Sequence, residues 1–158
     1  MTEVIDVVQA RSAADIERIR TLFREYAELV SEALCFQGFD RELAELPGAY
    51  AQPGGALLLA RGPAGDAGCV ALKQLDARTA EMKRLFVRSA FRGTGLGRRL
   101  TLQVAEIARR NGCERLVLDT LPKLTEAIAL YRSLGFRDCE PYLAAPTPGA
   151  LCFELRLS

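Results

Sequence analysis

The 158-residue chain contains no histidine and no tryptophan. Without histidine there is no Ser-His or Cys-His pair, no ordinary imidazole base, and no common zinc site. Any proton transfer falls to Glu, Asp, Tyr, Lys, Cys or water. The five cysteines (Cys35, Cys69, Cys113, Cys139 and Cys152) are scattered singly, with no C-x-x-C spacing. They read as small buried thiols in a reducing compartment, not as a disulfide framework or metal centre. No apolar run approaches the roughly 20 residues that span a bilayer. Met1–Asp6 lacks the basic start and apolar stretch of a secretory signal, so a cytoplasmic protein off the membrane is expected. The Walker pattern G-x-x-x-x-G-K-[ST] is absent, and Arg98 stands where a dinucleotide G-x-G-x-x-G loop needs its third glycine.

What is present describes an ordinary globular composition, with 49% hydrophobic and 26% charged residues. The length fits one domain over 1–158 with a sizeable core. The net charge of +1 hides an asymmetry: residues 1–76 carry 12 acidic and 7 basic side chains, residues 77–158 carry 8 and 14. A basic second half suits a polyanionic ligand. It makes no continuous aromatic-bearing patch, so no nucleic-acid partner is expected.

Glu3–Ala10 reads as a first strand. Ser12 and Asp15 resemble a capping box ahead of Ile16, Ile19, Phe23, Tyr26 and Val30, a helical stripe running to about Ala33. A short helix is expected over Asp40–Leu46, after the aromatic connection Phe36–Phe39. Ala56–Ala60, a turn at Gly62–Gly68, and Cys69–Leu75 read as a hairpin, with Thr79–Val87 as a third antiparallel strand. Leu96, Leu100, Val104 and Ile107 mark one face of a helix stopping at Asn111-Gly112. Leu116–Leu118 is a buried strand parallel to Leu85–Val87 through a right-handed crossover. Pro122 introduces a last helix with Ala127, Ile128, Tyr131 and Leu134 inward, and Phe136–Tyr142 and Ala150–Leu157 close the sheet. The fold class is α/β with a mixed sheet, antiparallel at its N-terminal side.

The most informative stretch is Leu85-Phe86-Val87-Arg88-Ser89-Ala90-Phe91-Arg92-Gly93-Thr94-Gly95-Leu96-Gly97-Arg98-Arg99-Leu100. A strand enters a turn of alternating glycines, and the turn opens a helix. The first amides of a helix have no partner within it, and the helix dipole adds partial positive charge there. A phosphate or pyrophosphate is the natural guest.

Arg92-x-x-Gly95-x-Gly97 resembles the Q/R-x-x-G-x-G/A signature of the GNAT acyltransferases. Ala127-Ile128-Ala129-Leu130-Tyr131-Arg132-Ser133-Leu134-Gly135-Phe136 is similar to that family's A-x-x-L-Y-x-x-x-G-F helix end. The resemblance covers essentially the whole chain. It implies an acetyl-CoA-dependent N-acetyltransferase, without a metal, that passes an acetyl group directly to a primary amine in a ternary complex. The amides of Arg92, Gly93, Thr94, Gly95, Leu96, Gly97 and Arg98 would hold the pyrophosphate. Leu85 and Val87 would pair with the pantetheine arm, and an amide near Leu85 or Phe86 would face the carbonyl oxygen. Tyr131 matches the tyrosine that faces the sulfur, and Glu81 matches a base position of several protein-acetylating members, with Asp119 in reserve.

The resemblance departs at Leu124, where many members have asparagine; Thr120 or Thr125 would then supply that contact. The acceptor, a small molecule or peptide, would bind between Glu32–Leu46 and Glu140–Gly149, and the acidic N-terminal half favours a cationic amine. A homodimer through edge strands is compatible with such folds. The alternative function is a non-catalytic acyl-CoA-binding or regulatory module.

Overall fold

The computed structural model describes residues 4–30 and 38–157. Its elements in chain order are β1 (Asp6–Gln9), α1 (Ala13–Val30), α2 (Phe39–Glu45), β2 (Ala56–Gly62), β3 (Gly65–Gln74), β4 (Thr79–Val87), α3 (Leu96–Arg110), β5 (Arg115–Thr120), α4 (Thr125–Ser133), β6 (Arg137–Asp138) and β7 (Leu151–Arg156). Short 3-10 turns occupy Gly48–Tyr50 and Ser89–Phe91. The seven strands form one sheet in the order β1-β2-β3-β4-β5-β7-β6. All neighbours are antiparallel except β4 and β5. The mixed α/β sheet expected from the sequence is therefore the one observed.

Local chemistry accounts for most of these elements. The Ser12 hydroxyl accepts from the Asp15 amide at 3.0 Å, which caps α1. Ile16, Ile19, Leu22 and Phe23 of that helix pack with Leu57, Leu59, Cys69, Ala71 and Phe86 on one face of the sheet. On the other face Leu96, Leu100, Val104 and Ala108 of α3 meet Val70, Met82, Leu116 and Leu118. The sheet thus carries apolar side chains on both faces, with helices covering each. The segments 1–3, 31–37 and 158, including the expected end of α1 and Phe36-Gln37, lie outside the described residues.

Two local expectations, the Gly62–Gly68 turn and the Phe136–Tyr142 strand, differ from the structure. The β2–β3 turn is tighter than Gly62–Gly68, because Gly62 pairs with Gly65 and leaves two residues between them. Gly68 lies inside β3, where a Cβ would come within 2.4 Å of the Phe86 carbonyl oxygen; its role is close strand approach. The strand expected over Phe136–Tyr142 shrinks to Arg137–Asp138, with one further bond from the Cys139 amide to the Cys152 carbonyl. Pro141 has no N–H to extend that ladder.

The feature that positions the site is the partial pairing of β4 with β5. Their register holds at Thr79–Arg115, Ala80–Leu116 and Glu81–Val117, and there it stops. β4 continues six residues further and β5 three, unpaired with each other. A bulge compounds this. Cys69 faces Phe86 but Ala71 faces Lys83, so Arg84 and Leu85 oppose Val70 alone, and Arg84 sits at φ 61°. The bulge shifts the side-chain alternation of β4 by one. Phe86 packs under α1, while Leu85 and Val87 pack toward α3.

Candidate active site

The gap between the diverging strands is a cavity of about 260 Å³. Met82, Lys83, Arg84 and Leu85 line it from β4, and Leu118, Asp119 and Thr120 from β5. Ala127 and Tyr131 of α4 close one side, and Leu143, Ala145 and Thr147 of the β6–β7 connection another.

At the mouth of the gap, the chain leaving β4 makes the glycine turn. Gly93 and Gly95 adopt φ values of +77° and +84°, and a Cβ at either would meet open space. Only glycine enters this left-handed region without strain. Gly95 is the residue before α3, which has no side-chain cap. The first bond of the helix runs from the Arg99 amide to the Gly95 carbonyl at 3.0 Å. Among the described residues, no acceptor takes the amides of Gly93, Thr94, Gly95, Leu96, Gly97 or Arg98. Six successive donors and a helix N-terminus thus stand together.

The Arg92 amide differs from its neighbours, because it donates to the Ser89 carbonyl at 3.3 Å and closes a 3-10 turn. The arc of free donors therefore begins at Gly93. Arg92 contributes its side chain instead, with Nε donating to the Val87 carbonyl at 3.1 Å, and the Thr94 hydroxyl donates to Phe91 O at 2.6 Å. These bonds pin the turn to the end of β4. Gly97 serves a third purpose: a Cβ there would lie 3.4 Å from Leu130 Cδ2, so it lets α3 and α4 pack closely.

Tyr131 lies in the gap and is buried, its ring tilted against Phe136 and Phe153 at centroid distances of 5.5 and 6.4 Å. Burial first, and then Tyr26, push its phenol above the ordinary 10.0, so it stays protonated through the neutral range.

Glu81 occupies the last paired position before the strands part and is 1% exposed. Its Oε2 accepts from the Tyr142 hydroxyl at 2.6 Å, while Oε1 is buried without a partner. Burial and then the Glu81 charge raise the Tyr142 phenol above its usual value, which keeps it a donor. Leaving a carboxylate oxygen unpaired in the interior is costly, and water or an ammonium group relieves it.

Arg84, which the sequence reading did not single out, is buried beside Glu81 on the same strand. Its guanidinium donates from Nε and Nη2 to both carboxylate oxygens of Glu42 at 3.0 and 2.9 Å. It also lies 5.8 Å from the Tyr26 ring centre and 5.3 Å from that of Phe39. Burial works against its proton, but Glu42 more than compensates and raises its pKa. This pair ties α2 to the bulge. The two adjacent charges Lys83-Arg84 within an apolar strand were the available sequence signal for a break in alternation.

Of the remaining candidates, Asp119 and Thr120 line the gap, Thr125 is exposed at the start of α4, and Leu124 packs with Val30 and Leu121. Leu124 thus makes an apolar bridge to the end of α1, a contact that an asparagine would not provide. Among the described residues no group of three or more His, Cys, Asp or Glu is placed to hold a metal, and no helix is long and apolar enough to cross a membrane.

Comparison with known proteins agrees with this geometry. The sequence model of the acetyltransferase (GNAT) family matches residues 16–136. The chain belongs to the GNAT acetyltransferase family. An uncharacterized N-acetyltransferase of Schizosaccharomyces pombe is 36% identical over 156 residues, covering 98% of this chain and 96% of that one. An acetyltransferase of the family from Staphylococcus aureus superposes with a TM-score of 0.83 at 19% identity, covering 98% and 100% of the two chains. An acetyltransferase of Salmonella typhimurium, solved with its cofactor acetyl-CoA, superposes with a TM-score of 0.74 at 21% identity, covering 98% and 94%. The last two establish likeness of fold.

Proposed function

We propose that this GNAT member transfers the acetyl group of acetyl-CoA to a primary amine by direct attack in a ternary complex. The observation that carries the reading is the parting of β4 from β5 at Glu81–Val117, with six unpaired amides at its mouth. That arrangement fits an extended thioester bearing a diphosphate. The amides of Gly93–Arg98 would bind the diphosphate, with Arg92 and Arg98 side chains adding positive charge. The unpaired edge of β4 at Leu85–Val87 would hydrogen-bond the pantetheine amides as an added strand does. An N–H near Leu85 or Phe86 would stabilise the oxyanion that forms as the amine nitrogen bonds the carbonyl carbon.

An amine of pKa about 10 arrives protonated at neutral pH and must lose a proton before attack. Glu81 takes that proton through a water reaching Oε1, the oxygen that Tyr142 leaves free. As the C–S bond breaks, the nitrogen sheds its second proton to solvent to leave the neutral amide, and Tyr131 donates a hydrogen bond to the departing thiolate sulfur. Because its phenol holds its proton more tightly than a thiol of reference pKa about 8.5, the bond stabilises the thiolate without a completed transfer. Asp119 stands within the same cavity as the alternative base. The four described cysteines are free thiols with raised pKa values at Cys69, Cys113, Cys139 and Cys152, each mainly through burial. They support a cytoplasmic setting and transfer without a covalent cysteine intermediate.

The direct test is mass-spectrometric detection of acetylated products from acetyl-CoA and a panel of primary amines. Transfer to at least one amine is expected. Tight acetyl-CoA binding with no product from any amine would favour the acyl-CoA-binding module instead.

A further inference from the structure

Beside the gap lies a second cavity of about 220 Å³, walled by α2, the Pro47–Tyr50 turn and the α2-facing side of β3 and β4. Its charged groups do not cancel. Glu42 is engaged by both donors of Arg84, and Glu45 accepts from Arg41 Nε at 2.8 Å. Lys73 and Lys83 line the same cavity, and neither has an anionic partner among the described residues. The register makes Lys73 directly opposite Glu81, the carboxylate best placed to neutralise it. That carboxylate turns to Tyr142 instead.

Lys83 pairs with Ala71, two residues from Lys73, so the two lysines are diagonal neighbours on one face, roughly 7–8 Å apart at Cα. Their long stems allow both ammonium groups to reach a single small anion. Lys83 also lines the gap between β4 and β5, and so joins the two cavities. A molecule held at Lys83 therefore extends directly to where an amine would meet the thioester.

We propose that Lys73 and Lys83 form a subsite for a carboxylate, and that the acceptor is an aminocarboxylate. The inference rests on the amine-acetylation reading above and adds the acceptor's second functional group. A singly charged carboxylate suits the cavity better than a phosphomonoester. The carboxylates of Glu42 and Glu45 share its wall, and a dianion would feel more of their repulsion. The acidic charge of residues 1–76 as a whole points toward a cationic acceptor. Within this cavity, however, the carboxylates are already paired, and the uncompensated charge is positive.

The experiment compares matched acceptors that differ by one carboxylate: lysine with cadaverine, ornithine with putrescine, and 4-aminobutyrate with propylamine. In the wild type, the carboxylate-bearing member of the best pair should have a kcat/KM about 10-fold higher or more, the worth of one well-placed ion pair. Lys83→Met should bring that ratio toward one, and Lys83→Glu should invert it. Lys73→Met should lower it less. Thermal melting of Lys83→Met and Lys83→Gln identifies variants that fold.

A wild-type ratio at or below one in every pair, or a ratio unchanged in folded Lys83 variants, would overturn the subsite. If no amine is acetylated, the amine-transfer reading has failed by itself. Calorimetry of the enzyme–CoA complex with 4-aminobutyrate then decides the subsite: binding lost in Lys83→Glu supports it, and absent or equal binding overturns it.

Discussion

The two ends of β4 build their sites in opposite ways. At the C-terminal end, the turn Gly93–Arg98 offers backbone amides within six consecutive residues, without internal partners among the described residues. Further back along the strand, Glu81 and Arg84 are buried side chains completed by Tyr142 and Glu42, 61 and 42 residues away. The first site depends on local conformation and tolerates variation elsewhere. The second depends on tertiary contacts and fails when any one member is removed. A diphosphate common to all acyl-CoA donors suits a local backbone cradle, whereas acceptor choice and proton removal suit side chains assembled from separate segments.

The largest effect should come from the backbone end. Gly95→Glu places a charge and a side chain at φ +84°, beside the amides proposed to bind the diphosphate. Acetyl-CoA affinity measured by calorimetry should fall at least about 100-fold, since charge repulsion adds to left-handed strain of about 1–2 kcal/mol. Gly95→Ala, with strain alone, should lose far less. Equal losses in the two variants would remove the anion from the explanation.

At the other end, Glu81→Gln keeps the shape and the bond from Tyr142 but removes the proposed proton acceptor. Its kcat should drop by about 10²–10³, with acetyl-CoA binding nearly unchanged. A kcat within twofold of wild type would transfer the base role to Asp119 or to solvent.

Arg84→Met should destabilise the protein by about 2–4 kcal/mol in urea unfolding, because it leaves Glu42 partly buried beside the Tyr26 and Phe39 rings without its cation. The Arg84→Met/Glu42→Gln double variant should recover part of that loss. A double variant less stable than the sum of its parents would contradict a coupled pair.

The smallest effect is expected at Tyr131. Tyr131→Phe should lower kcat about 10-fold with little change in acetyl-CoA affinity, as one hydrogen bond to the sulfur is lost. The same variant changes alkaline stability. A phenol raised above 10.0 by burial stabilises the fold fully below pH 10, and that contribution is lost as pH climbs through the folded-state value. Tyr131→Phe should therefore flatten the loss of stability above pH 10; an unaltered slope would mean that Tyr131 is not buried as described.

The same contrast explains what was legible in the sequence. The glycine turn could be read because Gly93, Gly95 and the start of α3 report their conformation through residue type alone. The α1 and α3 stripes and the β2–β4 meander are equally local. The bulge at Arg84 was not readable as such, because a positive φ at an arginine is held by Glu42 and two rings rather than chosen by the residue. Glu81 was nominated by resemblance, but its closure by Tyr142 depends on the β6–β7 connection folding back across the sheet. That segment was read as a longer strand over Phe136–Tyr142, but the ladder ends early, where Pro141 has no N–H to extend it. Nor does the acidic balance of residues 1–76 reveal which carboxylates are already paired, as Glu42 is with Arg84 and Glu45 with Arg41.

The most direct test follows the backbone amides themselves. In a two-dimensional 15N–1H spectrum, titration with acetyl-CoA should shift the Gly93, Gly95, Leu96 and Gly97 resonances strongly, with the Arg92 amide, already bonded to Ser89, moving less. Saturating acetyl-CoA binding that leaves the Gly93–Arg98 amides in place would contradict the diphosphate cradle on which the proposed activity is built.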